Sequence, residues 1–110
     1  MSDYPRTPDG RYFVAKGRLW RCTDPSLPEA EREATTRELM AARRAVRDAA
    51  SAEETRAARD RVQAAKERLG ERGPVWWDDG APDESRLAPR NSSYADWWAD
   101  LDPDSRARGG

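Results

Sequence analysis

The chain has 110 residues, of which 37% are charged and 36% hydrophobic, with 20 basic against 21 acidic side chains and no histidine. That length suits a single small core, and the near-cancellation of charge argues against full disorder, which usually accompanies a high net charge. One cysteine, Cys22, excludes an internal disulfide, and without histidine the usual zinc ligand sets cannot be assembled.

The sequence has neither an apolar run long enough for a membrane span nor an export leader, so a cytoplasmic protein with no membrane partner is expected. The charge is uneven along the chain. Residues 1–22 carry net +3, residues 23–73 net 0 and residues 74–110 net −4. The basic beginning and acidic end are expected to attract, although exposed pairs are worth only about 0–1 kcal/mol each.

Residues 1–102 are expected to form one domain, with Met1 to Thr7 frayed and 103–110 a disordered tail, because these ends carry little that packs. Residues 9–22 read as a β-hairpin turning at Lys16-Gly17. A two-residue loop there opposes Ala15 to Arg18, Val14 to Leu19, Phe13 to Trp20 and Tyr12 to Arg21, and leaves both faces partly apolar. An isolated hairpin is marginal in water, so it needs cover, and the following helices are the nearest candidate.

Residues 28–72 are rich in Ala, Arg, Glu and Leu, with no glycine before Gly70. Thr35, Leu39, Ala42, Val46 and Ala49 form one heptad-like stripe, and Thr55, Ala58, Val62, Ala65 and Leu69 form another. The first register fails after Ala49, and Ser51 stands three residues before Glu54, the spacing of a capping box. This predicts an antiparallel helical hairpin, 27–49 and 52–70, reminiscent of a short coiled coil. The first helix would open at Ser26-Leu27-Pro28-Glu29 and the second would end at Gly70. One continuous helix is the competing reading, since Ala49-Ala50-Ser51-Ala52 holds no true breaker.

Residues 74–101 are punctuated by glycine and proline yet carry Trp76-Trp77 and Trp97-Trp98, four of the five tryptophans. A short helical turn is expected at the second pair, opened by Ser92 or Ser93. The fold class is therefore mainly α: a helical hairpin with an N-terminal β-hairpin and a Trp-rich irregular segment wrapping back over both.

Several stretches resemble a group of short, uncharacterised bacterial proteins. They are Asp9-Gly10-Arg11-Tyr12, Gly17 to Arg21, Glu38 to Val46, Leu69 to Trp77, Asp79 to Asp83, and Tyr94-Ala95 with Trp97. The chain departs from that pattern at Glu84-Ser85 and Ser92-Ser93. The resemblance implies no activity.

No arrangement of side chains points to catalysis, and no cofactor, metal or small-molecule substrate is inferred. Asp78, Asp79, Asp83 and Glu84 fit no cation-binding loop pattern and read as a solvated loop that pairs with arginines. Cys22 lacks the neighbouring base a nucleophile needs. Glu33–Arg37, Arg44–Asp48 and Arg56–Asp60 stand four apart, where opposite charges meet on a helix. Arg43 and Arg47 have no such partner.

The expected function is a non-enzymatic protein-interaction or assembly protein, because an alanine-rich two-helix stripe cannot bury so many indoles alone. Its partner would be another protein or a second copy, met through Trp20, Arg43, Arg47, Trp76, Trp77, Trp97 and Trp98. The alternative is a nucleic-acid accessory factor using the basic aromatic hairpin with Arg11, Lys16, Arg18 and Arg21. Sequence alone leaves open whether the paired tryptophans are core or interface.

Overall fold

The computed structural model describes residues 4–110. Strand β1 (Tyr12–Ala15) pairs antiparallel with β2 (Arg18–Arg21) in the expected register, Val14 opposite Leu19 and Phe13 opposite Trp20. Lys16 and Gly17 both have positive φ, 55° and 75°, the two left-handed positions that a tight hairpin turn with matching twist requires. The chain then forms α1 (Glu29–Asp48) and α2 (Ala52–Arg68), a single 3-10 turn at Pro89–Asn91, α3 (Ala95–Asp100) and α4 (Pro103–Gly109). The fold is mainly α with an N-terminal β-hairpin.

The chain forms two compact units. One joins the N-terminal residues through Cys22 to Trp77–Gly110; the other is Thr23–Trp76. Each closes on its own set of side chains.

In the helical unit the chain breaks where the stripe failed, so the continuous helix is excluded. The two helices are antiparallel: the ion pair between Glu38 and Arg61, N–O 2.9 Å, joins residues nearly equidistant from the Ala49–Ser51 connection. The seam follows the predicted stripes, with Thr35, Leu39, Ala42, Ala58, Ala65 and Leu69 buried. Leu27 and Val62 pack against the cluster of Leu39, Ala65 and Leu69. Alanines at the crossing let the backbones approach closely while each helix contributes few large side chains.

The Ser51 hydroxyl accepts the Glu54 N–H at 3.1 Å, as the capping-box spacing predicted, while the Glu54 carboxylate reaches past Ser51 to the Ala50 N–H at 2.9 Å. At the other end of α2, Gly70 N–H donates to Glu67 C=O and Glu71 N–H to Lys66 C=O. This is the paired closure that needs a left-handed residue, and Gly70 has φ 79°. The start of α1 differs from expectation. Ser26 does not cap it; Asp24 accepts both the Ser26 N–H and hydroxyl, and the helix begins after Pro28 with no side-chain cap.

In the other unit the hairpin buries Tyr12, Val14, Leu19 and Arg21, which share one face. Its cover comes from residues 77–110 of the same unit. Both outer edges of the hairpin are also paired. Val14 N–H donates to Pro5 C=O along β1, and along β2 Leu19 N–H donates to Leu87 C=O while Arg86 N–H donates to Leu19 C=O. An edge with satisfied amides is no longer open to further strand pairing.

Two expectations about the ends are corrected. Of the stretch predicted to fray, Met1 to Asp3 lie outside the described residues, but Thr7 is buried and Arg6 bridges Phe13. Residues 103–110, expected to be a disordered tail, form α4. Asp102 caps it by accepting the Ser105 N–H at 3.1 Å, and Pro103 pre-sets the first helical φ. The helix then docks: Gly109 C=O accepts the Gly17 N–H at 2.7 Å, and Gly109 packs against Val14 and Trp98 so closely that a Cβ would meet Val14 Cγ1 at 3.0 Å.

Candidate interaction surface

The organising contact of the hairpin unit is Tyr12. Its ring meets Trp77 and Tyr94 edge-on, each with centroids 5.5 Å apart, the geometry that aligns a positive ring edge with a negative face. Its hydroxyl accepts the Glu84 N–H at 2.8 Å. Around this triad the polar groups are matched. Tyr94 donates to Asp9 at 2.7 Å, Thr7 donates to Asp9 at 2.7 Å, and Arg11 pairs with Asp79 while its guanidinium lies 4.8 Å from the Trp77 ring centroid.

Burial pushes the Asp9 carboxyl up, but the hydrogen bonds from Tyr94, Thr7 and the Arg11 N–H outweigh it and hold the group below its ordinary 3.8. Burial and the bond to Asp9 push the Tyr94 phenol far above its ordinary 10. The Asp9 to Arg11 turn is fixed by the same carboxylate, which accepts the Arg11 N–H at 3.1 Å.

This cluster decides the fate of several residues singled out from sequence. Trp77 is core: it is 9% exposed and donates its indole N–H to Ala81 C=O at 2.8 Å. Trp76, its sequence neighbour, belongs to the helical unit, half-buried with its ring edge over Gly70. Trp20 is half-buried and donates to Ala15 C=O across its own hairpin at 2.9 Å.

Trp97 and Trp98 stand differently. Both lie half-buried on α3, ring centroids 6.1 Å apart, and no residue of that helix is buried. Trp98 reaches Gly109. Neither indole N–H has an acceptor among the described residues. Asp96 and Asp100 on the same helix are exposed.

The hairpin cations divide into two pairs. Arg11 is engaged with Asp79, and Arg21, 4% exposed, lies 3.9 Å from Asp83. The acidic loop is therefore partly consumed by arginines of its own unit. Lys16 and Arg18 remain exposed.

On the helical unit Arg47, which has no opposite charge four residues away, finds one beside it. It pairs with its neighbour Asp48 at 3.1 Å, while Arg44, four residues earlier, adds a smaller attraction to the same carboxylate. Arg43 makes no ion pair among the described residues. It raises the positive potential at Lys66, whose ammonium pKa is lowered first by burial and then by Arg72 and Arg43.

Among the described residues no three acidic or cysteine side chains converge as a metal site, and Cys22 is buried. Among them, too, no helix is long and apolar enough to cross a membrane. No protein family, curated protein or solved structure matches the chain, so the likeness to short bacterial proteins rests on the residues that carry it.

Proposed function

We propose that this is a non-enzymatic protein-interaction protein whose docking face is α3, with Trp97 and Trp98 as anchors and a basic, apolar segment of another protein as its partner. The observation that supports this reading is the contrast among the tryptophans. Trp77 and Trp20 are hydrogen-bonded within their unit, whereas Trp97 and Trp98 share a helix with no buried residue and carry unused N–H donors. Tryptophan is enriched among the residues that dominate binding energy, because one ring adds a large contact area at little entropic cost. Asp96 and Asp100 flank the rings with negative charge, which favours a partner bearing lysine or arginine beside its apolar residues.

The test is a titration of the chain, its tryptophans labelled with nitrogen-15, with an amphipathic lysine–leucine peptide. The indole signals of Trp97 and Trp98 shift on saturation, an aspartate–leucine peptide leaves them in place, and Trp97→Ala weakens binding about tenfold or more. Equal binding by Trp97→Ala, or no shift at all, overturns the reading. A mass in solution of twice 12.5 kDa that returns to 12.5 kDa in Trp97→Ala makes a second copy the occupant and replaces the basic segment.

A further inference from the structure

The tight turn of the β-hairpin and the chain from Arg86 to Asn91 border an open, shallow cleft of about 430 Å³. Four of its lining side chains are cationic, Lys16, Arg18, Arg86 and Arg90, and none is a carboxylate. None of the four makes an ion pair among the described residues. All four are exposed. The contrast with Arg11 and Arg21 on the same hairpin is direct: the carboxylates of Asp79 and Asp83 go to those two and not to the cleft.

The backbone bordering the cleft is fixed, and one of the four cations is tethered to it. Leu19 exchanges hydrogen bonds with Arg86 and Leu87, which fixes the segment against β2, and the Arg18 guanidinium donates to Arg86 C=O at 2.8 Å. Arg86 itself has φ 73°, a left-handed conformation that a non-glycine residue rarely adopts. Lys16 has φ 55° on the opposite side of the cleft. The 3-10 turn presents Arg90, with the Asn91 amide next to it. Two left-handed, non-glycine cationic residues facing one cleft is the kind of local strain that persists where surrounding structure enforces it.

We propose that this cleft binds a small ligand bearing two or more linked phosphate groups, of which diphosphate is the minimal example. Four like charges gathered without counter-charge repel one another, and a polyanion relieves that repulsion more than a single carboxylate does. Guanidinium groups match phosphate oxygens with paired N–H donors, and the cleft contains three of them with a lysine point charge beside them. The volume lies in the range of small-ligand sites. A nucleic-acid backbone is disfavoured because the cations are gathered at one point; the hairpin residues that would extend a track, Arg11 and Arg21, are engaged internally. The proposal is independent of the role given to α3.

The experiment is a nitrogen-15 NMR titration of the full chain with inorganic pyrophosphate, orthophosphate and a single-stranded oligonucleotide. Pyrophosphate is expected to saturate with shifts confined to residues 16–18 and 86–91 and to bind about tenfold or more tightly than orthophosphate. Arg90→Ala weakens it about tenfold, the scale of one lost charge-assisted contact, Arg90→Lys restores part of the loss, and Lys16→Asn, which keeps a residue tolerant of positive φ, weakens it as well. Arg56→Ala, a cation on α2, leaves binding unchanged. Unperturbed spectra of the free variants show that folding is intact. Absence of saturable binding at millimolar pyrophosphate, equal binding by Arg90→Ala, or an oligonucleotide that binds far more tightly than pyrophosphate overturns the proposal.

Discussion

The Tyr12 hydroxyl accepts the backbone N–H of Glu84, 72 positions later in the chain, at 2.8 Å. It is the polar end of a ring that is 1% exposed and wedged against Trp77 and Tyr94. Replacing Tyr12 by phenylalanine keeps the ring contacts and removes the hydroxyl that accepts from Glu84 and bonds the Asp83 carboxylate. The Glu84 N–H is then left part-buried without its partner, at a cost of about 1–3 kcal/mol. Urea unfolding followed by near-ultraviolet circular dichroism measures the loss; a variant as stable as the parent shows that water replaces the hydroxyl freely.

Acid destabilises the hairpin unit. Burial pushes the Asp83 carboxyl up, but its hydrogen bonds from Ser85 and the charge of Arg21 hold it below the ordinary 3.8; Asp9 is held below the same value, and Asp79 is lowered chiefly by Arg11. A carboxyl whose pKa is lower in the folded state contributes stability that is complete above its unfolded pKa and is lost as the pH falls through the folded value. The unfolding midpoint is therefore flat down to about pH 4 and then drops. Asp9→Asn shallows that drop; a profile unchanged by it places the acid sensitivity elsewhere.

The alkaline limb has the opposite sign. Burial raises the Tyr12 phenol, and burial together with the bond to Asp9 raises Tyr94, both from 10. A phenol that ionises more easily unfolded than folded contributes stability present below about pH 10 and lost as the pH rises beyond it. Spectrophotometric titration of tyrosinate is expected to show Tyr94 ionising only with unfolding. Reversible ionisation of Tyr94 near pH 10 in the folded protein contradicts the assignment.

Gly70 and Gly10 separate two costs that are usually confounded. Both have positive φ, but a Cβ at Gly10 meets nothing within 4 Å, whereas at Gly70 it meets Trp76 Cδ1 at 2.9 Å and Asp24 Cβ at 3.0 Å. Gly10→Ala carries only the left-handed penalty of about 1–2 kcal/mol. Gly70→Ala adds a steric term and costs more, and equal destabilisation of the two in urea shows that Trp76 moves aside without resistance.

Asp102→Ala removes the cap of α4 at a cost of about 1 kcal/mol. The Gly17 amide, whose acceptor is Gly109 at the far end of that helix, reports it. Hydrogen exchange at Gly17 quickens while exchange in α2 does not. Unchanged protection at Gly17 means that α4 holds without its cap.

What sequence reveals here is what is local. The hairpin register follows from Lys16-Gly17, and the helical break follows from a stripe that loses phase after Ala49 just where Ser51 and Glu54 supply a cap. The cover of the hairpin is not legible in this way, because it depends on the pairing of Leu19 with Leu87 and of Tyr12 with Glu84, contacts between distant residues that carry no periodic signal. Arg47 escapes for another reason: helix spacing says nothing of a side chain that folds onto its immediate neighbour. The end of the chain does carry a readable signal, since aspartate, proline and a serine three places after the aspartate open α4 where a disordered tail was expected. The cleft is invisible in sequence because Lys16 and Arg18 are brought to Arg86 and Arg90 only by tertiary pairing.

The hairpin unit is assembled from two stretches that the helical unit separates in the chain. During synthesis the first stretch leaves the ribosome on the order of seconds before the second, at ordinary elongation rates. Throughout that delay the helical pair, whose contacts are local, is free to form, while Tyr12, Val14 and Leu19 wait uncovered for Trp77 and the residues beyond it. Vulnerability to chaperone capture or proteolysis is thereby concentrated in the nascent amino-terminal ribbon, and it ends when the last helix emerges and locks against the turn.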